Sequence, residues 1–280
     1  MPLPSLKITL LVDNNAPEPL EKEHGFSAWI EAGDRRILFD TGQSGAMQAN
    51  AARLGIDPGD ADTLVLSHGH YDHTGTLPEF LAVNDKARIY MGDNLSVDRW
   101  SCKPGTDPRS IGIPEASRQA LLALPPGRVH ELSTPLYLMP GVGITGPVPR
   151  VSPVEDTGGP FYLDNASRED DLIEDDQSMW FETDEGIVIL LGCCHAGLVN
   201  TVDYIRRVSG KDRIRGIIGG MHLVNADEKR LNYTFDAMKS WQPEFLVPCH
   251  CTGAEQTLSM LGAIGGDIVK PGQAGMVIQG

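Results

Sequence analysis

Residues 68–75 read His68-Gly69-His70-Tyr71-Asp72-His73-Thr74-Gly75, an HxHxDH pattern that concentrates four metal-competent side chains in six residues. Neutral imidazole together with carboxylate suits zinc, manganese or iron. In a turn, residues two apart can address one metal, while Asp72 and His73 lie beyond the bend and can address another. A polar turn without metal is the alternative, but each buried histidine would then need its own hydrogen-bond partner. The motif therefore predicts a metal centre.

Four short apolar runs each end a few residues before a histidine. These predicted strands are residues 63–66, 187–191, 214–218 and 245–247, and the histidines that follow them are His68, His195, His222 and His250. In α/β sheets, ligands gather outside the carboxyl ends of the strands. We therefore expect these histidines to converge in space. Helices over residues 198–207 and 227–239 fit as crossovers between the later strands.

The rest of the chain predicts one α/β domain spanning residues 1–280. Its further predicted elements are strands over 7–12, 25–32 and 36–40 and helices over 46–54 and 114–124. Two polar, irregular stretches lie near residues 94–112 and 147–176, and loops of this length inside a domain are usually functional. We expect insertions there without a domain boundary, and we expect residues 175–177 simply to end the second one.

The composition predicts a folded, acidic protein. The chain has 280 residues, with 38 acidic and 23 basic side chains and a net charge of -15. This charge repels polyanions, so we expect a small-molecule substrate and no nucleic-acid partner. The first residues lack the apolar core of a signal peptide, and no stretch approaches the roughly 18 apolar residues of a membrane span. We expect no membrane partner and a cytoplasmic location, and the sequence leaves the oligomeric state open.

The motif and the later strand-end histidines resemble the metallo-β-lactamase superfamily over nearly the whole chain. The resemblance implies a four-layer αββα sandwich and two sets of metal ligands. The first set is His68, His70 and His195, and the second is Asp72, His73 and His250. His222 stands where the superfamily usually has an aspartate that bridges the metals. We expect one or two divalent ions, zinc first and manganese or iron as alternatives. His222 would be either a ligand or a residue that supports the ligands or faces the substrate.

Five segments resemble one branch of that superfamily, the proteins similar to 7,8-dihydropterin-6-methyl-4-(β-D-ribofuranosyl)aminobenzene 5'-phosphate synthase. The segments are residues 24–27, 38–42, 192–197, 219–223 and 248–253. Within this branch, a histidine at position 222 is a regular feature.

The implied metal centre predicts an enzyme, with Asp72 and His222 as candidate catalytic residues. The first hypothesis is a hydrolase of a small ester, lactone or phosphorylated metabolite that uses a metal-activated water. The alternative is a transferase that joins a pterin diphosphate to an aryl amine phosphate, with the metal acting on the leaving diphosphate. A metal-binding sensor and an iron-dependent redox enzyme are further hypotheses.

The cysteines are weaker candidates for the metal centre. Their number is odd and their spacing does not suggest a disulfide framework, so we expect reduced thiols. They are Cys102, Cys193, Cys194, Cys249 and Cys251. The last four flank the strand-end histidines, but residues that flank a ligand point in different directions at a strand end. We therefore expect no thiolate ligand.

A few polar residues outside the motif invite two interpretations each. Asp40 would either orient a ligand histidine or cap a turn. His24 would either reach the rim of a pocket or, as we favour, serve as a hydrogen-bonded surface or core residue. Arg99, Lys103 and Arg109 would either bind a substrate phosphate or, as we favour, carry solvated surface charge.

Overall fold

The chain folds into sixteen strands and seven α-helices in the computed structural model, which describes residues 2–280. The strands are β1 (Leu6–Val12), β2 (Ser27–Ala32), β3 (Arg35–Phe39), β4 (Thr63–Val65), β5 (Arg88–Gly92), β6 (Trp100–Ser101), β7 (Arg109–Ser110), β8 (Val129–Leu132), β9 (Leu136–Met139), β10 (Val142–Ile144), β11 (Phe161–Tyr162), β12 (Met179–Thr183), β13 (Gly186–Leu191), β14 (Ile214–Gly220), β15 (Phe245–Cys249) and β16 (Val277–Gln279). The α-helices are α1 (Ala46–Arg53), α2 (Tyr71–Thr74), α3 (Leu77–Val83), α4 (Glu115–Leu122), α5 (Leu198–Ser209), α6 (Glu228–Trp241) and α7 (Ala254–Ile264), and two 3-10 turns cover Pro58–Asp60 and His250–Thr252. Every strand and helix predicted from the sequence is present, with ends shifted by no more than about two residues.

Two large sheets carry the fold. The first has the strand order β16-β1-β2-β3-β4-β5-β8, and the second has the order β15-β14-β13-β12-β10-β9. Strands β3, β4, β5 and β8 run parallel in the first sheet, as do β13, β14 and β15 in the second. Helices α5 and α6 are the predicted crossovers between the last three. The loops that follow β4 and β13 meet, since the His68 and His195 ring centroids lie 4.8 Å apart.

Both sheets bury both faces, because apolar side chains line the two sides of the strands. A central cluster lies between the sheets and joins residues such as Ile8 of β1 to Leu190 of β13. One outer cluster packs the first sheet against α1, α3 and α4, and another packs the second sheet against α5, α6 and α7. The four-layer αββα sandwich is therefore confirmed.

The two irregular stretches come together in a small third sheet. Strand β6 pairs with β7 on one side and with β11 on the other, with Trp100 opposite Tyr162. Strands of two residues show no periodicity, so the sequence could not reveal this sheet. The assignment of residues 1–280 to one domain stays a prediction. Within residues 2–280, no helix has the length and apolar character needed to cross a membrane.

Candidate metal centre

Three imidazoles converge at the carboxyl ends of β4 and β13. One nitrogen each of His68, His70 and His195 lies within 4.8 Å of the others, and all three residues are buried. The Nε2 atom of each ring has no hydrogen-bond partner within the described chain. Buried polar atoms are normally paired, so three open nitrogens aimed at one region fit a bound cation. A set of three imidazoles suits a zinc-like divalent ion with an open position.

Hydrogen bonds on the opposite ring nitrogens set the tautomers of two of these histidines. The His195 Nδ1–H group donates to the Thr157 carbonyl at 2.8 Å. The His68 Nδ1–H group donates to Ser67 Oγ at 2.9 Å, and Ser67 Oγ in turn donates to an Asp40 oxygen at 2.7 Å. These partners leave Nε2 unprotonated and available as a ligand atom.

The electrostatics of the cluster favour neutral imidazoles. Burial lowers the pKa of His68 well below its ordinary value, and the neighbouring histidines lower it further. Burial has the same effect on the pKa of His70 and of His195, with added repulsion from Arg99 and from His222 respectively. A neutral ring is the form that binds metal, so these three histidines need not release a proton when a cation binds.

His73 faces the same region but is held differently. Its Nδ1–H group donates to Asp40 Oδ2 at 2.7 Å, and its Nε2 atom lies 3.1 Å from Cys193 Sγ. Burial lowers the pKa of His73, but the Asp40 carboxylate outweighs that effect and raises it to about 9. Of the two interpretations of Asp40, the structure supports the one in which it orients histidines.

Asp72 and His250 meet a third residue, His24. Asp72 Oδ2 lies 3.0 Å from His24 Nε2 and 3.3 Å from His250 Nε2. Burial would raise the pKa of Asp72, but these two contacts outweigh it and hold the pKa well below the ordinary value. His24 is a hydrogen-bonded surface residue with a side chain that is 55% exposed, as favoured from the sequence, and it also lies at the rim of the centre. The sequence contained one signal for it, the branch segment 24–27.

The strand-end cysteines divide into two pairs. The sulfur of Cys193 groups with nitrogens of His68 and His73, and also with donor atoms of His250 and Cys251. Cys194 instead contacts Thr201 Oγ1, and the Cys249 thiol donates to the Val247 carbonyl. Burial, followed by the proximity of Cys251, raises the pKa of Cys193 well above its ordinary value. All five cysteines are free thiols, as expected.

His222 lies at the cavity side of the first cluster. Its ring centroid is 4.4 Å from that of His195, and its Nδ1 atom is buried without a partner in the described chain. Burial, then the charge of Arg230, lowers the pKa of His222 to about 3, so the ring is neutral at neutral pH. Gly158 packs directly on it, because a Cβ atom there would lie 2.0 Å from Nδ1. Whether His222 binds a metal stays a prediction.

The strand ends that carry the centre have an unusual backbone. Four residues other than glycine adopt left-handed conformations there: Asp40 (φ 57°), Cys194 (φ 60°), His222 (φ 40°) and His250 (φ 45°). Such conformations cost roughly 1–3 kcal/mol each and concentrate at functional sites. The sharp turns redirect the chain at the ends of β3, β13, β14 and β15, where the metal-competent side chains converge.

Arg99 is a correction to the sequence analysis. It is 1% exposed, and its guanidinium contacts Asp175 at 2.6 Å and Asp171 at 3.2 Å. The expectation of solvated surface charge is therefore wrong for this residue. Asp175 also accepts a hydrogen bond of 2.7 Å from the backbone of Gly69, inside the HxHxDH motif. The pair ties the second irregular stretch to the metal centre.

Residues 175–177 do more than end a loop, which is a second correction. Asp176 accepts a hydrogen bond of 2.8 Å from the Ala196 backbone, next to His195. Gln177 Nε2 donates to the Leu66 carbonyl, at the approach to the motif, also at 2.8 Å. These buried side chains hold together the two strand ends that supply the first cluster.

A cavity of about 960 Å³ opens beside the centre. His70, Asp72, His222 and His250 form part of its wall. Lys103 and Arg109 from the first irregular stretch also line it, and neither forms an ion pair with a carboxylate within residues 2–280. Arg109 lies over the Tyr71 ring at 4.7 Å. Both residues are exposed, as favoured from the sequence, and they are also positioned to contact a molecule in the cavity.

The fold and the histidine cluster together define an α/β sandwich with a candidate metal centre at its strand ends. Comparisons with known proteins agree: a sequence profile of the metallo-beta-lactamase superfamily matches residues 21–101. An uncharacterised protein of Methanocaldococcus jannaschii is 34% identical over 248 residues, which cover 88% of this chain and 90% of that protein. The chain belongs to the metallo-β-lactamase superfamily, whose fold implies divalent metal binding.

Two further proteins are similar to this chain, one in sequence and one in structure. The 7,8-dihydropterin-6-methyl-4-(beta-D-ribofuranosyl)-aminobenzene-5'-phosphate synthase of M. jannaschii is 29% identical over 261 residues, covering 89% of this chain and 88% of that enzyme. The crystal structure of Tm1679, described as a metal-dependent hydrolase of the beta-lactamase superfamily, has a TM-score of 0.81 and 27% identity, and covers 98% of both chains. The resemblance to the synthase branch is confirmed at the level of sequence.

Proposed function

We propose that this protein is a metal-dependent hydrolase of a small phosphorylated metabolite or a related ester or lactone. The observation that carries the proposal is the set of three unpartnered imidazole nitrogens on His68, His70 and His195 beside the cavity. A divalent ion bound there supplies Lewis acidity and lowers the pKa of water toward neutrality. Zinc is the first choice for such a set of ligands, with manganese or iron as alternatives.

Two residues on the cavity wall supply the remaining polar chemistry. Asp72 is ionised at neutral pH, because its pKa lies well below the ordinary value, and its carboxylate can accept a hydrogen bond from a nucleophilic water. The neutral His222 ring contributes a hydrogen bond to the leaving group of the substrate. The two residues are therefore our candidate catalytic groups.

The cations of the cavity favour a phosphorylated substrate among the possible esters. The chain carries a net charge of -15, yet Lys103 and Arg109 line the cavity without carboxylate partners in the described chain. Hydrogen bonds from such cations to phosphate are roughly twice as strong as neutral ones. An anionic substrate would gain from direct contact with these two cations, which share the cavity wall with the carboxylates of Asp72 and Asp107.

Turnover of a panel of phosphomonoesters, phosphodiesters and lactones by zinc, manganese and iron forms tests the proposal. We expect activity toward at least one phosphorylated compound, and we expect His70→Ala and Asp72→Asn to abolish it. The control is His130→Gln, because His130 stacks on Tyr90 at 4.9 Å and does not line the cavity. Metal-loaded protein that turns over no member of the panel would contradict the proposal.

A transferase is the second candidate, favoured by the 29% identity to the named synthase. The cavity volume of about 960 Å³ is near the upper end of the range for small-molecule sites and leaves room for two reactants. The discriminating experiment supplies a pterin diphosphate with and without an aryl amine phosphate. A coupled product that needs the amine identifies a transferase, whereas diphosphate release at the same rate without it identifies a hydrolase.

A further inference from the structure

We infer that Val224, Leu258 and Leu261 form an apolar subsite of the cavity, which binds an apolar leaving group of the phosphorylated substrate. All three residues line the cavity beside the metal centre. The inference rests on the proposed hydrolase and restricts its substrate to a phosphate ester of an apolar alcohol. Its test measures the binding of unreactive phosphonates and does not depend on turnover.

Helix α7 presents one of its sides to the cavity. The residues of this helix that line the cavity are Ala254, Thr257, Leu258 and Leu261, and spacings of three and four residues place side chains on one side of a helix. A different side of α7 carries Met260, which is fully buried in the cluster packed on the second sheet. Leu258 is instead 68% exposed. Met260 therefore anchors the helix to the core, and Leu258 is available to a ligand.

Val224 lies at the tip of the turn that follows β14. The Ala226 backbone donates to the Leu223 carbonyl at 2.9 Å, which places Val224 and Asn225 at the central positions of the turn. Such positions usually carry polar residues, glycine or proline, yet Val224 is apolar and 46% exposed. A Cβ atom at Gly253 would lie 3.2 Å from Val224 Cβ, so the turn packs against the residue that precedes α7. The turn and the helix therefore form one continuous wall.

The polar side chains next to this wall are engaged with the backbone. Asn225 Nδ2 donates to the Gly158 carbonyl at 2.9 Å, and Gln256 Nε2 donates to the Val224 carbonyl at 3.4 Å. Single exposed apolar side chains are ordinary on protein surfaces, whereas apolar side chains that converge in one cavity are typical of a ligand-binding site. The wall therefore fits the apolar part of a small molecule.

The subsite adjoins the residue to which we assign the leaving group. Val224 follows His222 by two residues, and both line the cavity. Lys103 and Arg109 come from a different part of the fold, the β6–β7 segment of the third sheet. A phosphate ester held by these cations would place its ester oxygen near His222 and its alcohol carbons along the apolar wall. Attack of water on phosphorus then breaks the P–O bond to the alcohol, which leaves with one proton from the water.

A series of alkylphosphonates from methyl to hexyl, titrated into the zinc-loaded full chain by calorimetry, tests the inference. Each added methylene should lower Kd roughly two- to fourfold, where fourfold corresponds to complete burial of the methylene. Leu258→Gln should flatten this dependence on chain length. Val224→Thr, which replaces one methyl group with a hydroxyl, should reduce it. Both positions are exposed, so neither substitution should disturb the fold.

Two control variants separate the subsite from other effects. Leu122→Gln makes the same change at a leucine of α4 that is 73% exposed and does not line the cavity, so it should match wild type. Arg109→Ala should raise the Kd of every phosphonate by a similar factor and keep the dependence on chain length, because it removes a contact to the phosphonate group only.

Three outcomes would overturn the inference. The first is a wild-type Kd that does not change with chain length, which includes the absence of any phosphonate binding. The second is a Leu258→Gln protein, with a circular dichroism spectrum like that of wild type, that keeps the full dependence. The third is equal flattening in Leu122→Gln. The expected binding pattern in a protein that hydrolyses no phosphate ester would leave the subsite standing and reject the proposed function, whereas hydrolysis at rates independent of the alcohol would support the function and reject the subsite.

Discussion

Replacing Asp40 with asparagine, a side chain of nearly the same shape, should lower the metal affinity of the centre. Asp40 accepts three hydrogen bonds of 2.7 Å, from the backbone and hydroxyl of Ser67 and from His73 Nδ1. Asparagine tolerates the left-handed backbone at this position (φ 57°), which alanine does not. Its amide keeps one acceptor oxygen, but its NH₂ group faces the remaining donors.

The magnitude follows from the contacts that are lost. Hydrogen bonds to a charged group contribute about 1.5–3 kcal/mol each, and two of them are lost at Oδ2, so the free energy of unfolding of the metal-free protein should fall by roughly 3–6 kcal/mol. The loss of a carboxylate behind a metal-binding histidine typically lowers metal affinity about 10–100-fold. That factor corresponds to about 1.4–2.8 kcal/mol of binding free energy.

The same substitution should change the pH dependence of stability. The contact with Asp40 raises the pKa of His73 from 6.5 to about 9. The contribution of this contact to the free energy of unfolding is therefore fully present below pH 6.5 and is lost as the pH rises through about 9. Metal-free wild-type protein should therefore lose stability across this window relative to Asp40→Asn. Urea denaturation of metal-free protein at several pH values measures the difference.

Zinc competition with a chromophoric chelator measures the affinity. Asp34→Asn is the control, since it removes the same charge from an exposed turn of the adjacent β2–β3 hairpin. Wild-type zinc affinity in Asp40→Asn, together with an unchanged pH profile of stability, would refute the role assigned to Asp40.

Three further substitutions test other parts of the structure. Arg99→Ala leaves two buried carboxylates unpaired and should lower the free energy of unfolding by about 3–5 kcal/mol in urea denaturation, and a loss under 1 kcal/mol would contradict the burial of this network. Gly158→Ala combines a left-handed backbone (φ 87°) with a Cβ atom 2.0 Å from His222 Nδ1, so kcat should fall at least about tenfold while the metal content stays the same. Unchanged kcat would remove His222 from the mechanism. Arg109→Ala should raise KM for a phosphorylated substrate about tenfold and leave a neutral ester unaffected, and an equal change for both substrates would argue against a phosphate contact.

The layered fold and most of the centre could be predicted because their signals are local. Short apolar runs bounded by turn residues indicate strands, and each run that ends near a histidine also locates that histidine at a sheet edge. The HxHxDH motif needs only six consecutive residues to bring four metal-competent side chains together. Spacing along the chain was therefore enough to predict His68, His70, His195 and His250 as neighbours.

What only the tertiary structure decided are the contacts between distant segments. Asn14 and His250 are 236 residues apart in sequence, and Gly69 and Asp175 are 106 apart, yet both pairs are hydrogen-bonded. No periodicity or propensity encodes such pairs, because they arise when separate loops pack at the same sheet edge. The roles of His24 at the rim and of Arg99 in the interior depend on that packing. The sequence of a polar loop does not reveal whether a charged side chain will contact solvent or a buried carboxylate.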